Sequence, residues 1–179
     1  MSSFTQGGEP PLDWPWYGIG FGAAIKRFFT KYATFSGRAS RGEYWWAYLF
    51  QVVVVFVLYA LAGASLFAAA TASSATGATP QMGPLGYIGS SLLSLFALGT
   101  IVPSLAVAVR RLHDTGRSGW YILFGLIPLV GGIIVIVFLA SATTPAAEQY
   151  GPPQTGYGAP GAGYGQGQPQ AYGQGYPQQ

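Results

Sequence analysis

The chain has 179 residues, half of them hydrophobic, 16% aromatic and only 7% charged, with a net charge of +3, one His and no Cys. Typical globular proteins carry about 25% charged residues, so this balance excludes an ordinary soluble domain and indicates a membrane protein. A charge of +3 does not point to nucleic acid as a partner, and the absence of Cys excludes disulfides and thiolate chemistry.

Residues 1–18, MSSFTQGGEPPLDWPWYG, hold two acids, three prolines and no basic group. That is the reverse of the positive start of a cleavable signal peptide, and the segment reads as a flexible lead-in. The stretch 19–32, IGFGAAIKRFFTKY, has a helical period. Phe21, Ile25, Phe28 and Tyr32 recur on one side while Lys26, Arg27, Thr30 and Lys31 gather opposite. The pattern predicts an amphipathic helix lying in the membrane interface; the alternative is a short helix packed on the protein's own spans.

A turn-like segment with Arg38, Arg41 and Glu43 follows, then Tyr44, Trp45, Trp46 and Tyr48. Such rings collect at headgroup level, so Trp45 and Trp46 are expected interface anchors. From Tyr44 to Val109 the chain has no Asp, Glu, Lys, Arg or His. Residues 44–64 give a first span, since about 20 apolar residues cross a bilayer as a helix. Residues 65–84 turn small and polar and read as a loop. The second span is about 85–109, with Gly86, Ser90 and Ser94 forming a small-residue stripe that a neighbouring helix can approach. Pro103 within it frees a carbonyl that a neighbour must satisfy. The third apolar run, 120–140, is expected to cross once, with Trp120 as its anchor. Pro128 and Gly131-Gly132 at its middle also allow a re-entrant hairpin.

Residues 19–148 form the membrane domain in this reading. Residues 149–179 repeat Tyr-Gly-Gln-Pro units without charge or large aliphatic residues and are expected to be a disordered tail. All eight Lys and Arg lie before the first span or between the second and third. By the positive-inside rule the amino terminus and the 110–119 loop face the cytoplasm. A single third crossing then puts the tail outside the cytoplasm.

RRLHDTGRSGW, 110–120, breaks the charge-free pattern with five ionisable groups in eight positions. An enzyme reading pairs His113 with Asp114 as base and orienting carboxylate. Against it, neighbouring helical residues point about 100° apart, and no nucleophile, zinc or phosphate-loop motif occurs. Metal ligands are too few, and no cofactor is implied. A lipid reading gathers Arg110, Arg111 and Arg117 with Arg38 and Arg41 around an anionic headgroup. The structural reading, which leads, makes Asp114-Thr-Gly-Arg a turn and pairs Asp114 and Glu43 with Arg groups of the two segments.

Four motifs in order, FSGRASRGEYWW (35–46), RRLHDTGRSGW (110–120), IP-x-x-GG (127–132) and QYGPP (149–153), resemble the YhaH/YhaI-type bacterial inner-membrane proteins, a domain of unknown function. The likeness covers about residues 26–153. Gln149 departs from the family's closing motif, where Asn followed by a basic residue is usual. The resemblance implies a small bacterial cytoplasmic-membrane protein and no particular activity. Arg38, Arg41, Glu43, Arg110, Leu112, His113, Asp114, Ser118, Gly119 and Trp120 correspond to its signature positions.

The expectation is therefore an all-α integral membrane protein of three transmembrane helices, the third with a re-entrant alternative. Its expected role is a non-enzymatic module organising anionic lipid or protein partners, a second copy included, at the cytoplasmic face. The alternatives are a lipid-headgroup enzyme using His113 and Asp114, or a small subunit of a larger transport or envelope complex docked through the Gly86, Ser90, Ser94 stripe.

Overall fold

Ser40 starts the longest helix. Its hydroxyl accepts from the Glu43 N–H at 3.1 Å while the Glu43 carboxylate accepts from the Ser40 N–H at 2.8 Å, the reciprocal capping that ends fraying at a helix start. A computed structural model of the chain describes residues 9–12, 14–77 and 79–151. It is helical, with no strand among the described residues. The elements are α1 (Phe21–Thr30), α2 (Arg41–Thr76), α3 (Pro84–Asp114), a 3-10 helix (Gly119–Leu126), α4 (Gly131–Ala140) and a second 3-10 helix (Pro145–Tyr150). The greater part of the expected tail lies outside the described residues, as does most of the lead-in's first half.

α2 and α3 are antiparallel and pack on each other. Both are long and apolar enough to cross a membrane. At about 1.5 Å per residue they reach roughly 54 and 46 Å, well beyond a hydrocarbon core of about 30 Å. The loop expected over 65–84 is a correction: the helix runs on to Thr76, and only Gly77–Gly83 connects. The cause is local. Alanines favour helix, and Thr71, Ser73, Ser74 and Thr76 turn their hydroxyls back onto carbonyls of the same helix instead of breaking it. Gly77, at φ +70°, then stops it, its N–H donating to the Ser73 carbonyl.

α3 opens on Pro84, where a missing N–H costs nothing. It continues past Val109 through the whole charged stretch to Asp114. Close approach to α2 occurs at Gly89, where a Cβ would lie 3.2 Å from the Ala62 nitrogen. Pro103 is buried inside the helix. It leaves the carbonyl four residues back, Gly99, without its helical donor. The Tyr32 hydroxyl supplies one at 2.8 Å. Tyr32 follows α1, so the helix expected in the interface is also fastened to the spans. Phe21 meets Trp46 edge-on at 5.7 Å, Phe29 meets Phe50 at 6.1 Å and Phe50 meets Phe96 at 6.0 Å. Within α1 only Lys26 of the expected outer basic residues faces out; Arg27, and Lys31 just beyond the helix, are buried.

The third apolar run does not form one 21-residue helix. Residues Gly119–Leu126 wind as a 3-10 helix, Ile127–Val130 reverse the chain, and α4 returns. Tyr121 touches both Phe124 and Phe138, joining the arms. At Gly131 a Cβ would sit 1.8 Å from the Phe124 carbonyl oxygen, so only glycine permits this reversal. Leu129 sits at the tip with φ +65°. The arms are about 15 Å long, half a membrane core. In place of the single 21-residue helix expected over 120–140, two short arms are joined by a reversal at 127–130. Ser141 and Thr143 lie beside Arg111 and Asp114, and the Gly151 carbonyl faces Arg38.

Two small cores support this end of the molecule: Phe28, Ala39, Ala47 and Val107, and Ala108, Leu112, Val135 and Leu139, with Tyr44 packed against both.

Candidate functional site

The end of α3 places the charges. Arg110, Arg111 and Asp114 lie on its last turn and are all buried, joined by Arg27, Lys31, Arg38 and Glu43 from the chain before and within α2. The turn expected at Asp114 begins one residue later. Gly116, at φ +74°, donates to the His113 carbonyl at 2.9 Å, and Arg117 donates to the Leu112 carbonyl at 3.0 Å. This closes α3 with a glycine-based cap and leaves the Asp114 side chain free for longer-range partners.

Those partners surround it. Asp114 Oδ1 accepts from Arg38 Nε at 2.9 Å and Nη2 at 2.8 Å, and from the Tyr17 hydroxyl at 2.9 Å. Oδ2 accepts from Thr143 at 2.6 Å and from Arg111. Arg111 also donates to the Leu139 carbonyl at 2.9 Å and to the Ser141 carbonyl, so one guanidinium ties α3 to the returning arm of the hairpin. Burial raises the Tyr17 phenol above its ordinary pKa, with the Asp114 charge adding to the effect. The phenol therefore stays protonated and donates. Arg41, exposed, reaches the Ser141 carbonyl at 3.3 Å.

Glu43 forms the second centre. Its Oε2 accepts from the Ser40 and Trp16 N–H groups at 2.8 and 3.2 Å; its Oε1 faces Arg27 at 3.4 Å and Lys31 at 3.8 Å. Arg27 uses Nη2 to bind the Pro11 and Trp14 carbonyls at 2.7 and 3.2 Å and lies over the Trp16 ring.

The structure brings Arg38, Arg111 and Asp114 together, and sets Arg110 near Glu43, both lining one cleft. Arg117 stands apart, over the Phe138 ring at 4.3 Å. His113 turns away from Asp114: its Nδ1 lies 3.1 Å from the Gly37 carbonyl, and its ring stacks on Tyr150 at 4.1 Å. The two side chains of the hypothetical dyad thus face different surroundings. Among the described residues no group of three metal-ligating side chains occurs. Trp46 donates from its indole to the Ile19 carbonyl at 3.1 Å, Trp45 is partly exposed, and Trp120 is 77% exposed. In the stripe on α3, Gly86 is buried near Ser65 of α2, while Ser94 is exposed and bonded to its own helix.

Four contributors were not singled out by the sequence reading: Tyr17, Ser40, Thr143 and Tyr150. Ser40 alone had a local signal, the S-x-x-E spacing to Glu43. The others act across long separations that no short motif encodes.

Two long apolar helices closed at one end by buried charge define an all-helical integral membrane protein. The chain belongs to the family described as "Protein of unknown function (DUF805)", which matches residues 32–152. It is 35% identical over 122 residues to the inner membrane protein YhaH of Escherichia coli strain K12, covering 68% of this chain and 87% of that one. It is 33% identical over 120 residues to the inner membrane protein YhaI of the same strain, covering 67% and 85%. No solved structure matches the chain.

Proposed function

We propose that this protein is a non-enzymatic inner-membrane module that holds anionic lipid against a rigid, cation-rich cytoplasmic face. One observation carries the reading: among the described residues five cations, Arg27, Lys31, Arg38, Arg110 and Arg111, are buried at one end of the two long helices together with two buried carboxylates, Glu43 and Asp114. Buried positive charge is costly unless a counter-charge lies close, and the cytoplasmic leaflet supplies one in its anionic headgroups. The positive-inside rule assigns that end to the cytoplasm. The chain then crosses twice, and the base of the tail at Gly151 shares the cytoplasmic side with the amino terminus. α1 lies along that interface, with Phe21, Phe29 and Lys26 outward.

Competition between lipids tests this. The full chain is reconstituted with equal amounts of phosphatidylglycerol and phosphatidylcholine, extracted in mild detergent, and its retained lipids are counted by native mass spectrometry. Enrichment of phosphatidylglycerol that declines with salt is the expected result. Equal retention of both lipids at every salt concentration would remove the basis for the proposal.

A further inference from the structure

His113 is the chain's one histidine, and neither the lipid reading nor the ion pairs employ it. Its ring is nevertheless fixed in place. Nδ1 lies 3.1 Å from the Gly37 carbonyl. At Nε2 a Cβ on Gly119 would stand 3.3 Å away, so a side chain at 119 would crowd the ring. One face of the imidazole is covered by Tyr150, parallel to within 5° at a centroid distance of 4.1 Å. The next residue, Gly151, sits against the aliphatic stem of Arg38, whose Cδ would lie 3.7 Å from a Cβ there. The Gly151 carbonyl faces Arg38 Nη1 at 3.5 Å, and Asp114 holds the rest of that guanidinium. A ring on His113 and a peptide carbonyl toward Arg38 thus define a two-point seat for the dipeptide Tyr150-Gly151.

The same dipeptide recurs beyond the described residues, at Tyr157-Gly158, Tyr164-Gly165 and Tyr172-Gly173. We propose that the seat formed by His113 and Arg38 is a binding site for a Tyr-Gly unit, with the later units of this chain's own tail as alternative occupants. Two arguments support a shared seat. Both contacts use groups that every unit carries, a tyrosine ring and the carbonyl of the glycine after it. Tethering then favours the same chain. Tyr157 stands seven residues after Tyr150, and a ligand on so short a linker is present at an effective concentration on the order of millimolar. A second copy has to arrive by diffusion. A single ring stack is a modest interaction, so one unit can leave while the ion pairs around Asp114 stay in place. The seat needs no lipid, and its test is separate from that of the function proposed above.

The single histidine makes the seat directly readable by nuclear magnetic resonance, because a ring stacked face-on shields the imidazole protons and moves their signals upfield. The full chain, isotope-labelled at histidine, is placed in phosphatidylcholine nanodiscs at one copy per disc. Its forms are unaltered, Tyr150→Ala, a variant with Tyr157, Tyr164, Tyr172 and Tyr176 all changed to Ala, and a form combining both sets of changes. Tyr150→Ser accompanies Tyr150→Ala, so that a failure of either to fold, seen by circular dichroism, leaves the comparison intact. The expected upfield shift is full in the unaltered chain and in the later-tyrosine variant, largely retained in Tyr150→Ala, and lost in the combined form. A loss in Tyr150→Ala as complete as in the combined form overturns the proposal, since the seat then serves Tyr150 alone. A shift that Tyr150→Ala keeps only when several copies share a disc also overturns it, and identifies the tail of a second copy as the occupant. An unaltered chain without the shift overturns the seat itself.

Discussion

Asp114 receives side-chain donors from four parts of the chain: Tyr17 before α1, Arg38 before α2, Arg111 on its own helix and Thr143 after α4. Glu43 receives its close bonds from backbone N–H groups and meets its cations at 3.4 and 3.8 Å. The first carboxylate closes the fold by tying the lead-in, the connection and the hairpin to one point. The second fixes the start of α2 and meets Arg27 and Lys31 at longer range. Equal burial therefore conceals different duties, and the geometry of the donors distinguishes them.

The largest expected effect follows from breaking the tighter centre. Asp114→Asn removes the charge that Arg38 and Arg111 both bond. Loss of a buried partner of this kind costs about 3–5 kcal/mol. Unfolding in mild detergent should show that loss and free the hairpin, seen as faster protease cleavage near Ser141. Glu43→Gln should cost less, because an amide oxygen still accepts from Ser40 and Trp16. Equal losses would mean that charge balance, and not donor geometry, governs both centres.

Tyr17→Phe sharpens the same contrast at smaller scale. It deletes a hydrogen bond to a charged group, worth about 1.5–3 kcal/mol. Because the folded phenol has a raised pKa, its contribution is complete below the ordinary tyrosine pKa of about 10 and disappears as pH climbs through the higher folded value. The unaltered chain should thus lose more stability than Tyr17→Phe between neutral and strongly alkaline pH. Parallel pH curves for the two would refute the Asp114 bond as the cause.

Much of this architecture was legible in advance, for physical reasons. A charge-free stretch from Tyr44 to Val109 indicates a membrane-embedded segment; of the eight residues expected in one polar network, Arg38, Arg111 and Asp114 meet, Glu43 forms a second centre, and Arg117 and His113 stand apart. Element ends were less legible. Small polar residues at 65–76 signal a loop in water but bond their own helix here. The hairpin was readable only as an alternative, because Pro128 and Gly131 are compatible with a kinked crossing. What decides it is the contact of Gly131 with the Phe124 carbonyl, a feature of three dimensions. Burial of Arg27 and Lys31 was illegible because a helical wheel shows which residues share a face and not which face turns inward.

Ser40→Ala probes the Glu43 centre alone. It removes the cap on α2 and the 2.6 Å bond to the Trp16 carbonyl. About 1 kcal/mol is the ordinary value of such a cap, and the lead-in should loosen with it, read as faster amide exchange at residues 14–17. Asp114 and its partners should keep their protection. If exchange also rises around Thr143, the two centres are coupled and not separate.

The smallest effect is the most exact test of how α1 is held. Tyr32 donates to the Gly99 carbonyl, which Pro103 cannot reach with an N–H, so the two residues form one unit. Tyr32→Phe should cost about 0.6 kcal/mol, the usual worth of an interhelical hydrogen bond in a membrane protein. Pro103→Ala restores a backbone N–H four residues beyond Gly99 and gives that carbonyl its helical partner back. In the Pro103→Ala background, Tyr32→Phe should then cost almost nothing. A double-mutant cycle that returns no coupling would leave α1 held by its aromatic contacts and by Glu43 alone. Positive coupling would mean that the proline within the second span is retained as the acceptor site for α1.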